Sequence, residues 1–416
     1  MPIPAELVSL IVDDVVECCS PKELSAALRS CCLVSRVWRA FSQPCLYSRF
    51  TRYKQEYWNT PLLQTLLGSE RLQGYTSALW IDENWFIENG PERHLLFRLL
   101  PQLRTLGIWE TGYARLVSSQ SLERVAMSTK HLTALHLQSL DRFPVGLFEH
   151  WVALEELYIN DTTLSGFLEP SESSRPSGKW VFRQFVRRPR PRLRLFQMEP
   201  HQFRNLNGLK RTECALDLSS LKTLHLGYQM SSMASRGYAE NPLLREFTSV
   251  CASTIEDLLV QPEEEWVDAK SAQKFTQVRV LRFQFLGEDV PESCMIIPRM
   301  VAFLLALPNP EKLEELWLPA LLCKQNPEDD EGVQRDIDYS ILTSLLTSSR
   351  FENIQKIWIV YHNEHVKLSE EGVEQVFRRL LSEVYRGGRK RIRVRISEHG
   401  RFATQESEVW FYGSLD

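Results

Sequence analysis

A six-residue phrase, apolar-x-x-apolar-x-apolar, recurs along most of this chain and constrains its fold more than any other feature. It is plain at Leu103-Leu106-Ile108, Leu132-Leu135-Leu137, Leu154-Leu157-Ile159, Leu221-Leu224-Leu226, Ile255-Leu258-Val260, Val278-Leu281-Phe283, Leu313-Leu316-Leu318 and Ile354-Ile357-Ile359. Weaker copies are Thr76-Leu79-Ile81, Leu122-Val125-Met127 and Leu193-Phe196-Met198. The last two apolar positions of each copy lie two residues apart, which is the period of a strand with one buried face. Each copy therefore predicts one short parallel strand, followed by a helix or loop, in a stacked array.

The phrase resembles the strand of leucine-rich repeats, and the fold class expected is α/β: an irregular solenoid with a curved parallel sheet over residues 76–416. Easily traced copies lie roughly 19 to 41 residues apart, less regular than the roughly 20 to 29 of that class, and the usual asparagine position is mostly missing. Helical patterns at Arg299–Leu307 and Ile341–Leu346 fall between phrases. Two insertions read as surface loops. Residues 161–192 hold Ser171, Ser173, Ser174 and Pro176, then an arginine-rich run to Arg192; residues 324–338 hold Glu328, Asp329, Asp330 and Glu331. Glu263-Glu264-Glu265 reads as a similar solvated segment. Near the end, Ser369 caps a predicted helix to about Tyr385, stopped by Gly387 and Gly388. The alternating run Arg391-Ile392-Arg393-Val394-Arg395-Ile396 then predicts a closing strand with a wet basic face.

The first 48 residues follow a different period. Pro4 suits a first helical turn, and Leu7, Leu10, Ile11 and Val15 form an apolar stripe. Ser20-Pro21-Lys22-Glu23 is a capping box that opens a second helix bearing Leu24 and Leu28. Ser35 caps a third, carrying Val37, Trp38 and Phe41 and ending at Gln43-Pro44. Residues 49–75 read as a helical linker. A trio this small buries too little surface to stand alone. Its large apolar side chains must cover either the rest of the chain or a partner, and the spacing leaves both open.

Ile3-Pro4-Ala5-Glu6-Leu7, Ser20-Pro21-Lys22-Glu23-Leu24 and Leu33-Val34-Ser35-Arg36-Val37-Trp38-Arg39 together resemble the F-box. In style, Cys-Cys-Leu-Val-Ser-Arg-x-Trp is similar to the large F-box-like families of basidiomycete fungi. That resemblance implies a three-helix module that binds the adaptor subunit of SCF-type, cullin–RING ubiquitin ligases and, through it, a cullin. Ile3, Pro4, Leu7 and Ile11 match the family's first contact strip, and Val34 and Trp38 match the second. Ile3 stands where leucine is usual.

If the phrase is a strand, the residues between its core positions face the inner surface of the curve. There the phrase places Trp80, Trp109, His136, Tyr158, His225, Trp317 and Trp358, residue types favoured at binding hot spots. A one-residue slip would put them in the core instead.

Enzymatic motifs are missing: there is no phosphate-binding glycine loop, HExxH or GxSxG. His362 and His365 flank Glu364 without an evident third ligand, so no metal or cofactor is expected. Nine cysteines show no CxxC spacing, and Cys18, Cys19, Cys31, Cys32 and Cys45 read as small apolar fillers in a reducing compartment, the cytoplasm or nucleus. A net charge of -4 argues against nucleic-acid binding, and no apolar run is long enough for a membrane helix. The N-terminus carries no basic leader before its apolar stretch and does not read as a signal peptide. Two function classes remain: a non-catalytic subunit that recruits an unknown protein substrate to a ubiquitin ligase, or a scaffold whose F-box-like module acts outside one.

Overall fold

The computed structural model describes residues 3–18, 21–50, 68–82, 97–109, 119–140, 143–160, 162, 164–165, 190–198, 216–226, 248, 250–262, 267–284, 290–319, 339–362, 381, 384 and 391–397. The chain divides into two compact units. One comprises Met1–Glu155, Ser165–Pro191 and Ala403–Asp416; the other comprises Glu156–Leu164 and Arg192–Phe402.

The first unit opens with three helices, α1 (Ala5–Cys18), α2 (Pro21–Val34) and α3 (Arg36–Ser48). The Pro4 carbonyl accepts from Val8 N–H at 3.1 Å, and the Ser35 hydroxyl accepts weakly from Trp38 N–H at 3.4 Å, so both expected starts hold. The expected end of the third helix does not. It runs through Pro44 to Ser48, because its last turns are held by packing: Cys45 and Leu46 lie against the bundle core of Val8, Val12 and Leu28. Pro44 removes one helical hydrogen bond there. Of the expected linker at 49–75, residues 51–67 lie outside the described residues; Glu70–Gln73 forms a single turn capped by Ser69.

Chain then pairs into a parallel ladder, β1 (Arg49–Phe50), β2 (Ala78–Asp82), β3 (Thr105–Trp109) and β4 (Ala134–Gln138). Ser77 N–H donates to the Ser48 carbonyl at 2.9 Å, tying the end of α3 to this ladder. Behind the strands sit Phe143, Phe148 and Trp151, all fully buried, with the Trp151 indole N–H donating to the Thr129 hydroxyl at 2.9 Å.

The second unit carries eight parallel strands in sequence order: β5 (Glu156–Asn160), β6 (Leu195–Met198), β7 (Thr223–Leu226), β8 (Asp257–Val260), β9 (Val280–Phe283), β10 (Glu315–Pro319), β11 (Lys356–His362) and β12 (Arg391–Ser397). The middle apolar residue of successive phrases falls in register, Leu224, Leu258, Leu281, Leu316 and Ile357, each 0% exposed. One step before the strands the ladder continues through Lys222, Glu256, Arg279, Glu314 and Gln355, each N–H donating at 2.8 Å to the preceding repeat's carbonyl. The helix Ser340–Thr347 contains the expected pattern Ile341–Leu346, and the helix Val290–Ala306 contains all of Arg299–Leu307 but its last residue.

Ten of the eleven phrases lie at strands; Leu122-Val125-Met127 does not. It belongs to the helix Ser119–Ser128, in which Leu122, Val125 and Ala126 are buried while Met127 is exposed. The buried spacing of three and four is helical, and an apolar triplet over six residues satisfies either period. The loops at 161–192 and 324–338 fall largely outside the described residues, as does the predicted helix from Ser369 apart from buried Leu381 and Val384. The predicted closing strand is β12, paired parallel to β11.

Candidate functional site

Two kinds of surface stand out, and each is built within one unit. The first lies on the three helices. In α1, Val8 and Val12 are buried and Val15 packs beside them, so the helix's inward stripe differs from the one its leucines suggest. Leu7, Leu10 and Ile11 belong to a second apolar stripe, about 100° further around the helix, and remain exposed together with Ile3. Leu33 (81% exposed), Val34 (64%) and Val37 continue the apolar surface at the end of α2 and the start of α3. Eight of the thirteen large exposed apolar residues among the described residues belong to this bundle, which therefore has far more bare apolar surface than the strand units.

Among the expected adaptor contacts, Ile3, Pro4, Leu7, Ile11 and Val34 are exposed, and none is enclosed by the repeats. Trp38 differs. It is half-buried and packs on the Val8–Val12–Leu28 core, so much of its indole supports the bundle. Leu10 and Val37 are further exposed apolar residues of this surface that the expected strips did not include. The available signal was that α1 is apolar on more than one face, which exceeds what a three-helix core needs.

Of the cysteines expected to be fillers, Cys45 packs against the bundle core. Cys31, Cys32 and Cys45 are free and half-buried, and desolvation raises the pKa of Cys32 and Cys45. Cys18 has no described side-chain environment and Cys19 lies outside the described residues.

The second surface is the strand face opposite the core. In the first unit, Trp80, Gly107 and His136 share one register row. Trp80 reaches across: a Cβ at residue 107 would overlap its indole ring, which lies 5.9 Å from the His136 ring at a tilt of 54°. Desolvation pushes the His136 pKa down to about 3. Trp109 is half-buried and stands one row further on, between Asp82 and Gln138, because Gly107 occupies the place expected for an aromatic.

In the second unit the same row runs Tyr158, Gln197, His225, Leu259, Arg282, Trp317, Trp358 and Arg393. Trp317 and Trp358 stack with ring centroids 5.0 Å apart and planes at 23°, and the Arg282 guanidinium lies 4.6 Å from a Trp317 ring centroid. Neighbours fix each member. Asp257 accepts two hydrogen bonds from Arg282, at 3.0 and 2.9 Å, and lies 3.4 Å from His225 Nε2. Glu315 accepts from the Trp317 indole N–H at 2.6 Å, and Glu156 from the Tyr158 hydroxyl at 3.3 Å. Burial alone would raise the Asp257 carboxyl, but His225 and Arg282 outweigh it and hold that group well below the usual carboxylate range.

The expected aromatics thus stand on the inner face, but not as bare anchors. Trp317 is 5% exposed, His225 3% and Tyr158 9%; Trp80 and Trp358 are half-buried. Trp317 and Trp358 cover one another and Trp80 lies against His136, which removes much of the cost of leaving these rings in water. Arg282, Asp257 and Glu315 were the members sequence reasoning missed. Arg282 sits between Leu281 and Phe283, the same inner position as Trp317, so a register reading that admitted charged residues would have found it.

Among the described residues no group of three His, Cys, Asp or Glu side chains is placed to hold a metal ion. Of the expected pair, His362 ends β11 and His365 lies outside the described residues. No helix among the described residues is long and apolar enough to cross a membrane.

No family model matches the chain, and no curated protein matches it. Solved structures similar in shape include a Bacteroides fragilis protein, at 10% identity and a TM-score of 0.38, covering 78% of this chain and 75% of that one. Another is the complex of Rad7 and Elc1 in yeast, at 12% identity and a TM-score of 0.33, covering 88% of this chain and 91% of that one.

Proposed function

We propose that the chain is a non-catalytic, substrate-recruiting subunit of a cullin–RING ubiquitin ligase. The observation that carries this reading is the exposed apolar surface of Ile3, Leu7, Leu10, Ile11, Leu33, Val34 and Val37 on the helical module. So much bare aliphatic surface on so small a bundle is costly in water, at roughly 25 cal/mol for each square ångström left uncovered, and calls for a protein that covers it. The F-box resemblance of the same residues identifies that protein as the ligase adaptor, which joins a cullin. The inner strand face, with its fixed aromatic and charged side chains, would hold the target. Catalysis would then be by proximity: the target is held near a charged ubiquitin carrier and the chemistry belongs to other subunits. The working compartment is the cytoplasm or nucleus.

Co-purification tests the reading. The full chain should capture the adaptor and a cullin, and Leu7→Asp with Leu33→Asp should abolish capture while circular dichroism and thermal melting stay unchanged. Both changes fall on exposed positions, so loss of binding would not reflect a lost core. A wild-type chain that ignores the adaptor removes the ligase reading.

A further inference from the structure

The inner strand face differs between the two units in what its side chains have left to offer. In the second unit its rings and polar groups are already engaged: Tyr158 with Glu156, Trp317 with Glu315, Trp358 and Arg282, and Arg282 with Asp257. His225, Leu259 and Trp317 are at most 5% exposed there. The first unit is less committed. Trp109 and Gln138 are half-buried and stand directly opposite each other on β3 and β4. Among the described residues they are an indole and an amide with no side-chain hydrogen bond, ion pair or ring contact. Trp80 covers Gly107, two residues before Trp109 on the same strand. Two indoles therefore serve successive inner positions of β3, about 6.6 Å apart. No described side chain on this patch carries a charge: Thr105, Ala134 and Gln138 are uncharged types, and desolvation holds His136 neutral. Asp82 completes the row on β2, its side chain lying outside the described residues.

We infer that this patch of the first unit binds an uncharged, proline-bearing segment of the target in the extended polyproline II form, with Trp109 as its anchor. The inference rests on the recruiting reading and deepens it, by placing the target site and naming the chemistry of the segment. Three features select this occupant. Charge complementarity favours a neutral partner, because a charged residue would lose water against a surface whose described side chains offer no counter-charge. Hydrogen bonding favours a chain with free carbonyls. A polyproline II segment makes no internal hydrogen bonds, and the Trp109 indole N–H and the Gln138 amide N–H are available to donate to it. Shape favours proline, whose flat ring lies well on an indole face. That segment rises about 3.1 Å per residue, so alternate residues fall about 6.2 Å apart, close to the spacing of the two indoles. Its fixed backbone also loses little freedom on binding.

Fluorescence anisotropy with the purified full chain tests this without the adaptor, so its failure is distinct from failure of adaptor capture. The probes are a labelled Pro-Pro-Ala repeat peptide, an Ala-Ser repeat of the same length, and copies of the first with glutamate or lysine in place of alanine. The expected result is binding of the Pro-Pro-Ala peptide with a change in tryptophan emission and little dependence on salt. The Ala-Ser peptide and both charged copies should bind about tenfold more weakly or not at all. W109A should weaken binding of the Pro-Pro-Ala peptide about tenfold or more and Q138A several-fold, whereas W358F, on the inner face of the second unit, should leave it unchanged. If W109A fails to fold, W109F keeps a ring but removes the N–H, and should still lower affinity several-fold. Failure of the Pro-Pro-Ala peptide to bind overturns the inference, as does equal or tighter binding of the Ala-Ser or a charged peptide, or unchanged affinity in the Trp109 variants.

Discussion

Gly107 is the inner-face residue with the least freedom to change. Any Cβ there would enter the space of the Trp80 indole, which crosses the strand toward His136. Gly107→Ala should cost about 1–3 kcal/mol by denaturant unfolding, and Trp80→Leu should recover part of that loss in a double-mutant cycle. At Asp257 the cost is electrostatic. Removing its carboxylate leaves Arg282, with a side chain 11% exposed, without its bidentate partner, so Asp257→Ala should lose about 3 kcal/mol. Because the folded carboxyl lies below its ordinary range, its stabilisation is complete above the unfolded pKa of about 3.9 and is lost as pH falls beneath it. His136 behaves as a base that folding keeps neutral. Its contribution is complete above the unfolded pKa of about 6.5 and drains away as pH falls from there toward about 3. Urea midpoints at pH 7.5 and pH 5 should therefore diverge in the wild type, and converge in part in His136→Gln.

At the scale of the element, α1 has two apolar stripes that serve different ends. Val8 and Val12 close the bundle; Leu7 and Leu10 face outward. Val12→Asp should melt the three-helix module, seen as lost helicity and loss of protection from hydrogen exchange over residues 5–48. Leu7→Asp should leave both intact and remove only adaptor capture. Hydrophobic periodicity located this helix correctly, but neighbouring stripes at positions 7 and 8 are both consistent with its pattern. Which stripe turns inward depends on where α2 and α3 sit. The same limit explains Leu122-Val125-Met127, where six residues fit two periods and the surrounding repeat decided between them. Pro44 inside α3 marks another case, since local preference favours a stop and tertiary packing of Cys45 and Leu46 carries the helix on.

At the scale of the whole molecule, each strand contacts chiefly its neighbours, so a core deletion should act locally. Leu281→Ala should destabilise the second unit by about 2–5 kcal/mol while hydrogen exchange in β2, β3 and β4 is unchanged. The strand positions, their parallel order and the parity of inner and core faces were legible from the recurring phrase alone, because alternation along a strand is a property of the backbone. So was the existence of a three-helix module at the N-terminus. The exposure of the inner-face rings was not legible, since Trp317 is covered by Trp358 and Arg282 from other repeats, and no local pattern encodes which strands lie side by side. Local chemistry follows from spacing along the chain, whereas coverage, charge pairing and the choice of buried stripe arise only when residues far apart in sequence are brought into register.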